Sequence, residues 1–136
     1  ILPLLDFIDD NLVSYPYYLD SAWGYREGFS HYTKMHNHIP ASISGVIYLR
    51  VPPSLKDEYA KEDHYPCVGD IVWHSGQAAT FSGHKHQATP EVGAIYLFPS
   101  WLSHGVYPFR TQDEERRSVS FNVQVKRKKE KDEQQI

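Results

Sequence analysis

Histidines are the residues in this sequence whose spacing points most directly to chemistry. The 136-residue chain contains eight of them. His36 and His38 lie two positions apart, so on an extended strand both side chains project from one face and can chelate one ion. His104 lies far along the chain, beside the strands expected in the second half, and a jelly roll would bring it next to the pair. These three residues predict a metal site. Two surface histidines on an edge strand fit the His-x-His spacing alone equally well.

The chain contains a second His-x-His pair, His84 and His86. This pair lies among polar residues, which indicates a solvated loop, and the alternative is that residues 78–87 pair across a hairpin. The first pair is followed closely by the apolar run Gly45–Leu49, which predicts a core strand. Context, and not spacing, therefore favours the first pair as the metal-binding one.

Arg116 opens a strictly alternating stretch. One face carries Arg116, Ser118, Ser120 and Asn122, and the other carries Val119, Phe121, Val123 and Val125. A guanidinium fork and a hydroxyl on one face can bind a single carboxylate together. Arg117 shares the apolar face and is expected near a rim, where its stem covers apolar surface. The alternative makes Arg116 a solvated edge residue opposite Glu114 or Glu115.

Short apolar runs between turn residues predict a mainly β chain. A short amphipathic helix is expected over Leu4–Leu12, and a turn and loop over Trp23–Ser30. Gly93–Pro99 is apolar on both faces, which predicts a strand buried on both sides. Residues 54–66 are charged and are expected to form a surface excursion. With no second strong helical pattern, the spacing of the strands favours an antiparallel jelly roll over βαβ units.

Length and composition predict one domain over residues 1–125, in which 1–30 form the N-terminal helix and lead-in. Residues 126–136 form a mixed-charge tail that is expected to be disordered. The net charge of −3 gives no general attraction to nucleic acid or to an anionic membrane. No apolar run approaches the roughly 20 residues of a membrane span. The single cysteine excludes an intrachain disulfide and favours a reducing, cytoplasmic location.

Three segments together resemble the 2-oxoglutarate/Fe(II) oxygenases, in particular the small prolyl-hydroxylase-like branch found in marine phages and bacteria. They are SGVIYL at 44–49, FPSWLSH at 98–104 and ERRSVSFN at 115–122. The resemblance covers roughly residues 36–123. It implies a double-stranded β-helix in which His36 and His104 bind Fe(II), while Arg116 pairs with the far carboxylate of 2-oxoglutarate. For a phage protein, the cytoplasm would be that of the host cell.

The resemblance also implies the reaction. O2 would be consumed, 2-oxoglutarate would be converted to succinate and CO2, and a C–H bond of a peptide (a prolyl residue) or of a small molecule would be hydroxylated, with ascorbate as a candidate accessory reductant. Ser118, Tyr48 and Asn122 are the expected further contacts of the cosubstrate.

The third metal ligand departs from the wider superfamily, which has His-x-Asp or His-x-Glu where this chain has His38. We expect His38 to be the third ligand. It could instead lie outside the coordination sphere, which water or Asp70 would then complete. An all-histidine site leaves Fe(II) with its full charge until an anionic cosubstrate binds.

Two other classes of protein fit parts of the pattern. A cupin-type metal enzyme also uses His-x-His and a later histidine, but it usually has a glutamate a few residues after the pair, and residues 39–51 contain none. A non-catalytic jelly-roll module, such as a virion or carbohydrate-binding protein, would make the histidines incidental. The sequence does not indicate an oligomeric state.

Overall fold

A computed structural model describes residues 17–61, 66–77 and 83–125, and half of these residues lie in strands. The strands are β1 (Tyr17–Glu27), β2 (Thr33–His36), β3 (Ile43–Arg50), β4 (Ile71–His74), β5 (Lys85–Ala88), β6 (Ile95–Pro99), β7 (Ser103–Val106) and β8 (Arg116–Val125), and the helix is α1 (Leu55–Ala60). No helix in these ranges has the length and apolar character needed to cross a bilayer. The predicted helix over Leu4–Leu12 and the predicted disordered tail lie outside the described residues.

The strands form two four-stranded antiparallel sheets. The first has the order β1-β8-β3-β6 and the second has the order β2-β7-β4-β5. Strands that are distant in sequence are neighbours in both sheets, as in a double-stranded β-helix. The predicted mainly β jelly roll is therefore confirmed.

Apolar side chains fill the space between the two sheets. The main cluster consists of Val46, Tyr48, Ile71, Trp73 and Phe98. A smaller cluster of Leu55, Val68 and Phe109 lies where α1 meets the body of the fold. The main cluster holds the sheets at a fixed separation, and this separation determines how far the residues on the two inner faces can reach.

Strand β8 follows the predicted alternation. Arg116, Ser118 and Asn122 are buried, whereas Arg117 between them is exposed. Arg116, Ser118 and Ser120 line a cavity that residues of both sheets enclose, so this face of β8 points between the sheets and not to solvent. The alternative of a solvated Arg116 is therefore excluded.

The prediction of a turn and loop over Trp23–Ser30 is wrong for most of its length. Residues 17–27 form β1, which pairs with β8 as far as Glu27 opposite Arg116. Gly24 suggested a turn, but it lies in regular strand, and a Cβ there would be 3.9 Å from its nearest neighbour, the Ser118 carbonyl oxygen. Nothing in the strand requires glycine at this position, so its presence misled the sequence interpretation.

Two other expectations about strands need correction. Strand β6 is buried on one face only, since Phe98 is 6% exposed while Ile95 and Leu97 are 55% and 47% exposed. It is the edge strand of the first sheet, and no described residue covers its outer face. The predicted loop around His84 and His86 is in part strand β5, whose first three residues are nevertheless exposed.

The charged segment 54–66 contains more structure than a surface excursion would. Residues 55–60 form α1, and Leu55 is 3% exposed. Glu58 on this helix accepts hydrogen bonds from the backbone N–H groups of Arg110 and Thr111, at 2.7 Å and 2.6 Å. These hydrogen bonds connect α1 to the loop that precedes β8.

Candidate active site

Three histidines converge at one end of the space between the sheets. His36 ends β2, and His104 on β7 is its direct partner across the antiparallel pair. His38 follows β2, and its backbone N–H donates to the Ser100 carbonyl at 2.9 Å. One ligand atom from each ring lies within 4.8 Å of the others. The residues predicted from sequence to share a metal ion are therefore close enough to do so.

Backbone carbonyls orient two of the rings. His36 Nδ1 is 2.7 Å from the Lys34 carbonyl oxygen, and His104 Nδ1 is 3.0 Å from that of Leu102. A carbonyl only accepts hydrogen bonds, so in the neutral form of each ring Nδ1 carries the proton and Nε2 keeps its lone pair. His36 Nε2 in turn lies 3.1 Å from His38 Nε2. Hydrogen bonds from Nδ1 to a backbone carbonyl, as in His36 and His104, are typical of imidazoles that bind a metal through Nε2.

Burial favours the uncharged imidazole at two of these three positions, His38 and His104. It lowers the pKa of His104 to about 4, and the neighbouring His36 and His38 act in the same direction, against the hydrogen bond to Leu102. The pKa of His38 is also lowered, first by burial and then by His36. Neutral imidazoles offer lone pairs to a cation and are the form that binds metals. The donor set thus fits a divalent transition metal.

Arg116 lies in the wall of the cavity that the three histidines also line. Its side chain is 1% exposed. Arg116 Nε donates to Glu27 Oε2 at 3.0 Å, Nη2 donates to the same oxygen, and Nη1 donates to the Gly69 carbonyl at 2.7 Å. Among the side chains lining the cavity, this guanidinium is the one Lys or Arg cation. Its position beside the histidines suits an anion that also reaches a metal.

Glu27 is the site residue that sequence reasoning missed. It is 4% exposed, and its second carboxylate oxygen accepts from Thr33 Oγ1 at 3.2 Å. The signal was present in the sequence as the alternation of Trp23, Tyr25 and Glu27, all of which line the cavity from β1. The assignment of this stretch to a loop concealed that alternation.

Tyr48 and Ser118 line the same cavity, directly opposite each other on β3 and β8. The Tyr48 hydroxyl is buried and has no hydrogen-bond partner among the described residues. Burial raises the pKa of Tyr48, with Arg116 opposing and Glu27 adding to the shift, so all three groups are close together. An unpaired buried hydroxyl is costly. A ligand that accepts a hydrogen bond from Tyr48 would remove that cost.

Two predicted site residues have other roles. Asn122 Oδ1 accepts from Ser44 Oγ at 2.8 Å and Asn122 Nδ2 donates to Ser21 Oγ at 3.2 Å, so its amide joins β8 to β3 and β1 and does not line the cavity. Asp70 is not in the metal-ligating cluster; its Oδ2 accepts from Gln87 Nε2 at 3.1 Å. The amide and the carboxylate are therefore engaged within the fold, and His38 is the third residue of the histidine cluster.

The three tryptophans separate into different environments. Trp23 lines the cavity, with its ring centroid 5.4 Å from that of His38. Trp73 belongs to the core, and Trp101 is 60% exposed. Trp23 and Tyr25, with ring centroids 6.5 Å apart, therefore form an aromatic wall of the cavity on the β1 side.

The family of the chain follows from comparison with known proteins. Residues 21–122 match a family model described as "Putative 2OG-Fe(II) oxygenase". This match spans more than half of the 136 residues, so the chain belongs to the 2-oxoglutarate/Fe(II) oxygenase family. Fe(II) and 2-oxoglutarate are the metal and cosubstrate that this family implies. No curated protein matches the chain in sequence.

A solved structure shares the fold. It is an oxidoreductase of the 2OG-Fe(II) oxygenase family from Burkholderia pseudomallei, 18% identical in sequence, with a TM-score of 0.60. The alignment covers 79% of this chain and 43% of that one, so the chain corresponds to less than half the length of that protein.

Proposed function

We propose that the chain is a 2-oxoglutarate-dependent hydroxylase. It would hydroxylate a C–H bond of a peptide or a small molecule while 2-oxoglutarate and O2 are converted to succinate and CO2. The observation that carries the proposal is that three clustered imidazoles and one buried guanidinium line a single cavity. A 2-oxo acid with a distant carboxylate can reach both.

His36, His38 and His104 would hold the iron through their Nε2 atoms. When bound, Fe(II) together with 2-oxoglutarate supplies the oxidising chemistry, which no side chain of the protein can provide. The protein fixes the ligands instead, because the Lys34 and Leu102 carbonyls hold two of the rings in the required tautomer.

Arg116, Ser118 and Tyr48 would hold the far carboxylate of the cosubstrate. A charge-assisted bond from the guanidinium and two hydroxyl donors together satisfy a carboxylate that has left water. Around them, the apolar side chains of Val46, Ile71 and Phe98 line the cavity and limit its water content. This combination orients the cosubstrate and protects the reacting centre from solvent.

The substrate would approach along Trp23 and Tyr25. A flat aromatic wall next to the metal ligands suits an apolar ring or aliphatic segment. Proline-containing peptides are therefore the first substrates to test, and free amino acids are the second.

Succinate release from 2-oxoglutarate tests the proposal. Protein reconstituted with Fe(II) and ascorbate should form succinate, and Arg116→Ala should abolish its formation. Arg117→Ala is the matched control, because that arginine is adjacent in sequence but points to solvent. Equal loss in both variants, or no succinate from the wild-type protein with any candidate substrate, would contradict the proposal.

The identity of the metal needs its own test, because three histidines also form catalytic zinc sites. Succinate formation should require Fe(II) and should not be supported by Zn(II). His104→Ala should remove it, while His86→Ala, in the exposed second pair, should leave it intact. Turnover of a substrate with Zn(II), without consumption of 2-oxoglutarate, would instead indicate a hydrolytic or lyase-type metal enzyme.

A further inference from the structure

We propose that Glu27 is an internal competitor for Arg116. Its carboxylate occupies the position that the far carboxylate of the cosubstrate needs, and the cosubstrate displaces it on binding. This inference rests on the proposed function and assigns a role to a residue outside the expected site.

Much of the Arg116 guanidinium already donates hydrogen bonds within the protein. A guanidinium has five N–H donors. Nε and Nη2 donate to Glu27 Oε2, and Nη1 donates to the Gly69 carbonyl. The Nε and Nη2 edge, one of the edges through which arginine binds a carboxylate in paired fashion, is therefore engaged by Glu27. An incoming carboxylate finds only part of the guanidinium open to it.

The negative charge of Glu27 also weakens the binding of a second carboxylate at Arg116. Glu27 and Arg116 are 4% and 1% exposed and together form a neutral pair. A second carboxylate entering this pair gains attraction to the guanidinium but is repelled by Glu27 at a similar distance, with little water to screen either. A guanidinium with its own counter-ion is thus a weak anion site until that counter-ion moves.

Space is the third restriction. The cavity has a volume of about 40 Å³. At about 10–15 Å³ for each water molecule, this volume holds roughly three waters. A five-carbon dicarboxylate needs more, so a group in the wall has to move. Movement of the Glu27 side chain would release both the space and the guanidinium edge.

The position of Glu27 allows such movement. It is the last residue of β1, an edge strand of the first sheet, and Gly28 follows it. Besides Arg116, the hydroxyl of Thr33 contacts this carboxylate, at 3.2 Å from Oε1. Thr33 therefore stabilises Glu27 in the competing position, and loss of its hydroxyl should make displacement easier.

The sign of one affinity change separates competition from simple support of Arg116. We would measure the dissociation constant of 2-oxoglutarate by anaerobic calorimetry on the full chain loaded with Mn(II), which does not support turnover. Glu27→Gln should bind 2-oxoglutarate about tenfold more tightly, because it keeps the shape but removes the repelling charge. Thr33→Val should change the affinity in the same direction by a smaller factor. An unchanged or weaker affinity in Glu27→Gln would mean that Glu27 only orients Arg116, and would overturn the inference.

A monocarboxylate provides the control. 2-Oxobutanoate has the metal-binding end of the cosubstrate but no far carboxylate, so its affinity should be the same in the wild-type protein and in Glu27→Gln. Equal tightening for both ligands would overturn the inference, because the effect would not act through Arg116. If neither the wild-type protein nor Glu27→Gln binds 2-oxoglutarate, the proposed function itself fails. If thermal unfolding shows that Glu27→Gln does not fold, Thr33→Val is measured in its place. An unchanged or weaker affinity of Thr33→Val for 2-oxoglutarate would then overturn the inference.

Discussion

His36 and His104 are direct partners across the antiparallel pair of β2 and β7, and their ring centroids are 4.4 Å apart. Two residues far apart in sequence are therefore held together by main-chain pairing and not by a flexible loop. Sites on strands are more exact than sites on loops. This strand pairing brings His36 and His104 together in the candidate metal centre.

Removal of His104 should abolish tight metal binding. His104→Ala leaves two imidazoles, and we expect the affinity for Fe(II) or Mn(II) to fall by at least about 100-fold. Calorimetry with Mn(II) measures the change, and His86→Ala is the control with the same residue type on an exposed strand. Similar affinities in the two variants would show that the three-histidine cluster does not hold the metal.

Loss of Arg116 should destabilise the fold as well as the site. Arg116→Ala leaves the Glu27 carboxylate buried without its partner, which should cost about 3–5 kcal/mol of unfolding free energy. Arg117→Ala removes only an exposed ion pair with Glu115 and should cost less than about 1 kcal/mol. Urea unfolding of the two variants provides the comparison. A small effect of Arg116→Ala would mean that Glu27 is readily solvated.

Tyr48→Phe should separate stability from cosubstrate binding. The hydroxyl is buried and has no hydrogen-bond partner within residues 17–61, 66–77 and 83–125, so its removal should be neutral or should stabilise the cosubstrate-free protein by up to about 1 kcal/mol. The affinity for 2-oxoglutarate should nevertheless fall about tenfold, as expected for a lost hydrogen bond to a charged group. Thermal unfolding and calorimetry on the same variant measure the two effects. A loss of stability with unchanged affinity would place the hydroxyl in the core and not in the binding site.

Acid should destabilise the metal-free protein through His104. Its pKa is lowered to about 4 in the folded chain, against about 6.5 when unfolded. Between these values the unfolded state binds more protons, so this contribution is fully present above pH 6.5 and is lost as the pH falls towards 4.

The expected loss is about 2–3 kcal/mol from this residue alone. Urea unfolding as a function of pH, compared between the wild-type protein and His104→Gln, isolates the contribution from that of the carboxylates. Parallel pH profiles for the two proteins would contradict the assignment of a buried neutral imidazole at this position.

Much of the site could be predicted from sequence because strand periodicity specifies faces. The alternation from Arg116 onward placed Arg116 and Ser118 on one face and Arg117 on the other, and β8 has that arrangement. The spacing of His36 and His38 likewise specified a shared face. Their approach to His104 required the jelly-roll topology, which the short strands and the resemblance indicated.

Other features depend on neighbours that a single sequence does not reveal. Ile95 and Leu97 look like core residues, but they lie on the outer face of an edge strand. Asn122 has the right periodicity for the site, yet Ser44 and Ser21 engage its amide. Glu27 was missed because a glycine suggested a turn where the chain remains extended. The alternation of apolar and polar residues specifies the two faces of a strand. The residues that each face contacts are determined by the tertiary fold.

Chelation of iron by 2-oxoglutarate within the protein is the most direct test of the account. In an anaerobic titration of the Fe(II)-loaded protein with 2-oxoglutarate, the charge-transfer absorption of a chelated 2-oxo acid should develop in the visible range. It should saturate at one cosubstrate per chain, and His104→Ala should lack it. Absence of this absorption from the wild-type protein, at concentrations where iron is bound, would contradict a site in which the three histidines and Arg116 hold one metal and one cosubstrate.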